Sequence, residues 1–196
     1  MPMSSQDSPS PSVPEYFYLN FSSEIQERSV NALMGACAEI VAKKHSRSIY
    51  LMFSSSGGSV EHGITLYNYL RALPCGLVMH NLGSVQSVAT VIFHAADVRY
   101  AVPYSTFMFH GIQWQSNGPM VLSHMQVEEI KSGFVHSEDR FAGIICGRCK
   151  LTESEIRALF IKGETKDTAF ALEKGIIQEV REFKIPANEP FASVAG

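Results

Sequence analysis

The run Ser48-Ile-Tyr-Leu-Met-Phe53 is apolar almost without interruption and opens directly into Ser54-Ser-Ser-Gly-Gly-Ser59 and then a stretch of helical spacing, Val60–Leu73. A strand that does not alternate polar with apolar residues is covered on both faces, which is the pattern of a parallel sheet. Parallel neighbours cannot be joined by a hairpin and need a crossover, usually a helix. The same order repeats at once: a strand at Leu77–Leu82, a small-residue turn at Gly83, and a helix from about Ser87 to Ala95. Such alternation dictates an α/β domain assembled from βαβ units.

The remaining chain fits that scheme. Tyr16–Asn20 reads as a strand, and Ile25, Val30, Leu33, Met34, Cys37 and Val41 recur at helical intervals behind a Ser23–Gln26 capping box. Val98–Val102 and Thr106–Phe109 are short strands separated by Pro103, and a polar loop runs from Gly111 to Gly118. Pro119 then suits a helical first turn. Met120 to Ile145 has mixed polarity and reads as a long helix mostly outside the core. A second capping box, Thr152–Glu155, opens a helix through Phe160; Ala169–Lys174 is a short helix ended by Gly175, and Ile176–Val180 a closing strand. Residues 1–14 are a Ser/Pro-rich tail with little apolar surface to bury, expected to be disordered. Residues 15–196 form one domain.

Composition excludes several functions. Net charge is −3 with no Lys/Arg-dense run, which argues against nucleic acid. No run approaches the ~20 apolar residues of a membrane span, the N-terminus lacks the apolar core of a secretory signal, and the glycines form no phosphate-binding loop. The four cysteines are unevenly spread, as expected of reduced thiols in the cytoplasm. Cys146-Gly-Arg-Cys149 is half a zinc site with no second pair, so no metal or cofactor is expected. An apolar content of 45% leaves material for a buried oligomer interface as well as a core.

Chemistry concentrates on Ser87 and His110. A serine between a strand and a helix leaves the Val88 N–H available to an oxyanion, although serine at a helix start is commonly only an N-cap. Gly57-Gly58 also joins a strand to a helix, so both loops leave the carboxyl edge of the sheet, where α/β proteins bind ligands. Without side chains, that pair lets a peptide or acyl group approach bare N–H donors. His110 closes a strand at the start of a loop, where its imidazole can act as general base. His94 lies in an apolar helix and reads as a core histidine.

Together these residues resemble the proteolytic subunit of the Clp protease, within the Clp/crotonase fold. The motifs are Ser55-Ser56-Gly57-Gly58, Gly83-Ser-Val-Gln-Ser87-Val-Ala, and Pro103-Tyr-Ser105-Thr-Phe-Met108-Phe-His110, and the likeness runs from about Tyr16 to Val180. The resemblance implies a single-domain α/β fold of repeated β-β-α/βαβ units with a protruding handle helix. It implies a serine endopeptidase with Ser87 as nucleophile, His110 as base, and the Gly58 and Val88 N–H groups as oxyanion hole. Its implied partners are peptide or unfolded-protein substrates, sister subunits in a heptameric ring stacked to a tetradecamer, and an AAA+ ATPase.

Three departures stand out. Leu159 falls where the family has its catalytic Asp and cannot accept a hydrogen bond, leaving a Ser–His dyad unless Glu164 or Asp167 serves as third member. The Ser/Pro tail stands in place of the axial loop that meets the ATPase. Val85-Gln86 replaces a small pair before the serine. Two further readings follow: a catalytically weak or inactive structural ring subunit, and a crotonase-like acyl-CoA enzyme sharing the two-N–H oxyanion hole.

Overall fold

A computed structural model describes residues 15–43, 45–113 and 118–194; the tail expected over residues 1–14 lies outside them. The centre is the parallel array of β1 (Tyr16–Ser22), β2 (Ser48–Ser55) and β3 (Gly76–Gln86), paired in register from Tyr16↔Ser48 and Ser48↔Gly76 onward. Helices α1 (Glu27–Ala42) and α2 (Val60–Arg71) make the crossovers. β1, β2 and β3 supply Leu19, Phe21, Ile49, Leu51, Phe53 and Met79 to the main core, and the helices cover it with Val30, Leu33, Cys37, Ile64, Leu66 and Leu70. The opposite face of the sheet carries a second, aromatic layer of Tyr18, Tyr50, Met52 and Val78.

β3 is longer than expected and changes partner midway. Its first half pairs with β4 (Val98–Ala101) and its second half with β5 (Thr106–Phe109), both parallel. Buried Asn81 makes the switch possible. Its side-chain amide donates to the Thr106 carbonyl at 2.9 Å while its Oδ1 accepts the Gly83 N–H at 3.0 Å. Gly83 is therefore within a strand and not at a turn, because a side chain satisfies the backbone where the β2–β3 ladder shifts register.

Short helix α3 (Val88–Phe93) follows directly, wholly buried. α4 (His124–Cys146) buries only Phe141, Ala142 and Ile145 at its C-terminal end, so its first half stands out from the domain. α5 (Glu153–Lys162), antiparallel β6 (Glu164–Lys166) on the β5 edge, α6 (Thr168–Glu173), β7 (Glu179–Val180) and β8 (Phe191–Val194) beside β1 complete the chain.

Two helix starts differ from expectation. α1 is capped by the Gln26–Ser29 pair, since Ile25 is held in a bridge to Gly58 and the helix cannot begin before it. α4 begins at a Ser123–Gln126 capping box, which leaves Pro119 ahead of the helix. The expected Thr152–Glu155 box is present on α5.

Candidate active site

Ser87 joins β3 to α3 with φ 55° and ψ −131°, a conformation that costs a non-glycine residue about 1–3 kcal/mol. Three hydrogen bonds hold it there. Its N–H donates to the Met108 carbonyl at 2.9 Å, extending the β3–β5 pairing. Its carbonyl accepts from the Thr90 N–H at 2.9 Å and the Thr90 hydroxyl at 2.6 Å. The side chain makes no capping bond to α3, so the hydroxyl is not consumed as an N-cap. A strained serine between strand and helix is also how α/β-hydrolases expose their nucleophile.

The glycine pair is fitted against this turn. Gly57 (φ 92°) and Gly58 (φ 142°) both hold conformations that disfavour side chains. A Cβ at Gly57 would sit 2.7 Å from Ser87 Cβ, and one at Gly58 would overlap the Ile25 carbonyl. Ile25 N–H donates to Gly57 O at 2.7 Å and Ser59 N–H to Ile25 O at 2.8 Å. That bridge pins the peptides on either side of Gly58 and leaves the Gly58 N–H without an acceptor among the described residues. The Val88 N–H, first in its helix, is likewise free of any acceptor among them. Gly63 of α2 brings α3 close, since any Cβ there would overlap the Val88 side chain.

Glu24, Ser56, Gly58, Ser87, His110 and Ile112 line one cleft of about 350 Å³. Ser87 and His110 thus share a cavity, with no direct hydrogen bond between them. Gln86, of the pair that replaces small residues before the serine, donates back along its own strand to Ser84 Oγ at 3.1 Å.

His110 has a partner that sequence reading missed. Its Nδ1 lies 2.6 Å from the carbonyl oxygen of Gly111. A carbonyl only accepts, so Nδ1 carries the proton and Nε2 is left as the basic nitrogen. Neither Glu164 nor Asp167, the residues expected as third member, is hydrogen-bonded to His110. Glu164 is half-buried on β6 and pairs with Lys166 and Lys162, which hold its carboxyl below the usual range. Asp167 caps α6, accepting the Phe170 N–H at 2.9 Å. Leu159 is buried in the core of α5, while the carbonyl of its neighbour Phe160 accepts the Gly111 N–H at 3.1 Å. No single-residue motif signals a histidine bonded to the next residue's carbonyl, because it depends on how the chain turns after β5.

His80, His94 and the cysteines do not line the cleft. His94 is fully buried on Thr90 O, and desolvation pushes its pKa down to about 3. His80 is buried against the Tyr50 hydroxyl, and burial lowers it to about 4. All four cysteines are free, burial raises their thiol pKa values, and no cluster of metal-ligating side chains occurs among the described residues. A larger hollow of about 690 Å³ lies around Asp97, Arg99, Arg148 and Cys149. Its two arginines are already committed: Arg99 donates to four backbone carbonyls, and Arg148, with Arg71 from outside the hollow, holds Asp97. It is a structural knot.

Comparison with known proteins matches residues 14–184 to the Clp protease family. The ATP-dependent Clp protease proteolytic subunit 1 of Leifsonia xyli is 22% identical over 162 residues, covering 82% of this chain and 80% of that protein. Proteolytic subunit 2 of Pseudomonas aeruginosa is 26% identical over 155 residues, covering 76% and 75%. Among solved structures, a mutant ClpP1 from Listeria monocytogenes superposes with a TM-score of 0.73 at 19% identity, covering 85% of this chain and 92% of that one.

Proposed function

Because this chain belongs to the Clp protease family, we propose that it is a serine endopeptidase acting through Ser87 and His110. In this mechanism His110 Nε2 takes the hydroxyl proton as Ser87 Oγ attacks the scissile carbonyl carbon. The Gly58 and Val88 N–H groups receive the developing oxyanion, and the imidazolium returns its proton to the leaving amine. Water, deprotonated by the same nitrogen, then releases the acyl group. The observation that carries this reading is the strained, uncapped Ser87 in one cleft with His110.

The Gly111 carbonyl stands in for the acid. Where a triad loses its acid and the histidine adopts the wrong tautomer, turnover falls by about 10⁴. Here the carbonyl keeps the productive tautomer but adds no negative charge, so turnover is below that of a full triad by less than that factor.

The exposed first half of α4 supports assembly into a ring of sister subunits, heptameric and stacked in pairs in our reading. Its approach and surface carry Met120, Val121, Leu122, Met125, Val127 and Val135 in the open. Such a chamber restricts substrates to unfolded or short peptides; an AAA+ ATPase is the partner that would feed it. Among the described residues no helix is long and apolar enough to cross a membrane. Free thiols throughout support a cytoplasmic setting.

A non-catalytic ring subunit is the second reading, favoured by Leu159 at the acid position. Fluorophosphonate labelling of the assembled protein separates the two. Ser87-dependent labelling that is lost in Ser87→Ala and strongly slowed in His110→Ala is expected of the peptidase; no Ser87-dependent labelling leaves the structural subunit.

A further inference from the structure

Resting on the Ser87–His110 reading, we propose that Glu138 of α4 is a positioning residue for His110, acting through the single peptide group that joins Gly111 to Ile112. Both polar atoms of that peptide are engaged. Its carbonyl accepts from His110 Nδ1 at 2.6 Å, and its N–H donates to Glu138 Oε1 at 3.2 Å. The preceding N–H, on Gly111, donates to Phe160 O of α5 at 3.1 Å. The acceptor of the imidazole proton is therefore clamped from two helices.

A carboxylate accepting from one end of an amide polarises it, strengthening the carbonyl at the other end as an acceptor by on the order of 10–30%. Glu138 is available for this. It is half-buried and forms no salt bridge among the described residues, whereas its neighbours Asp139 and Arg140 are paired with Arg157 and Glu61. Gly111 permits the approach, because a Cβ there would stand 2.8 Å from Glu138 Oε1. The negative charge that the family places before its last helix is here supplied one peptide further away, from the protruding helix.

Other charges near His110 are accounted for. Glu24 lies in the cleft wall, Glu164 on β6 is paired with Lys162 and Lys166, and Arg157 on α5 is paired with Asp139 and Glu153. Glu138 is the one hydrogen-bonded to the peptide that His110 uses.

The test takes the full-length protein with Glu138→Gln, Glu138→Ala and Ser87→Ala, a fluorophosphonate as probe, and imidazole ¹⁵N NMR with His110 assigned from His110→Gln. Glu138→Gln keeps an acceptor and removes the charge. It is expected to keep the His110 tautomer and to lower the labelling rate by about threefold. Glu138→Ala frees the peptide; expected are mixed His110 tautomers and labelling slowed by about tenfold or more, at unchanged probe affinity. A His110 tautomer unchanged in Glu138→Ala, or a labelling rate unchanged in both variants, overturns the proposal. So does a loss confined to probe affinity or thermal stability, which would make Glu138 a structural prop. Mixed His110 tautomers in Glu138→Ala of a protein with no Ser87-dependent labelling uphold the Glu138–His110 coupling and remove the hydrolase reading.

Discussion

Ser87, Gly57 and Gly58 hold backbone angles that disfavour side chains within one small volume; bonds with Met108 and Thr90 lock the strained Ser87, and bonds with Ile25 pin the glycine pair. Gly58 is the most intolerant of the three, because an added Cβ meets backbone and not a movable side chain. Gly58→Ala is expected to cost about 2 kcal/mol or more in urea unfolding and to abolish labelling of Ser87. Ser87 and His110 were legible in the sequence because each falls at an element boundary beside a small-residue or polar loop. The partner of His110 was not. Its acceptor is a main-chain atom, and the carboxylate behind it lies 26 residues beyond Ile112, on a helix whose docking no local pattern encodes.

At the scale of elements, the packing of α2 on α3 fixes where the Val88 N–H points. Gly63 lies directly against the Val88 side chain, so Gly63→Ala should displace α3 even though alanine is the better helix former by about 1 kcal/mol. We expect Gly63→Ala to slow Ser87 labelling by about tenfold, and Gly63→Ala with Val88→Ala to recover most of it; a double-mutant cycle of labelling rates measures the coupling. The helices and the long strands were readable from apolar spacing, with boundaries adjusted by Ile25 and Ser123. β6 and β8 were not, being three and four residues long and defined by what they pair with. The continuation of β3 through Gly83 was hidden because the Asn81 side chain overrides the usual meaning of a glycine.

For the whole molecule, His80 and His94 are held neutral in the interior, at about 4 and about 3 against an ordinary value of 6.5. Their folded pKa values are depressed, so the unfolded chain binds more protons as pH falls below 6.5. The stability they contribute is complete above that value and is lost progressively toward pH 3–4. Between pH 7 and pH 5 the domain should lose on the order of 2 kcal/mol for each histidine, and replacing His94 by Asn should flatten that slope, as read from urea midpoints across pH. Assembly depends on a different surface. Val121→Asp with Met125→Asp, on exposed positions of the α4 approach and first turn, should shift sedimentation toward smaller species without lowering subunit stability.

The fold, the strained serine and the clamped histidine all bear on whether Ser87 Oγ and His110 Nε2 face one bound peptide. A peptide chloromethyl ketone forms a hemiketal with such a serine and alkylates such a histidine, so it reports both at once. Peptide mapping by mass spectrometry of the treated, assembled protein should find the reagent on His110, and its attachment should be lost in Ser87→Ala. Alkylation of another residue, or modification of His110 indifferent to Ser87, would contradict a shared catalytic cleft.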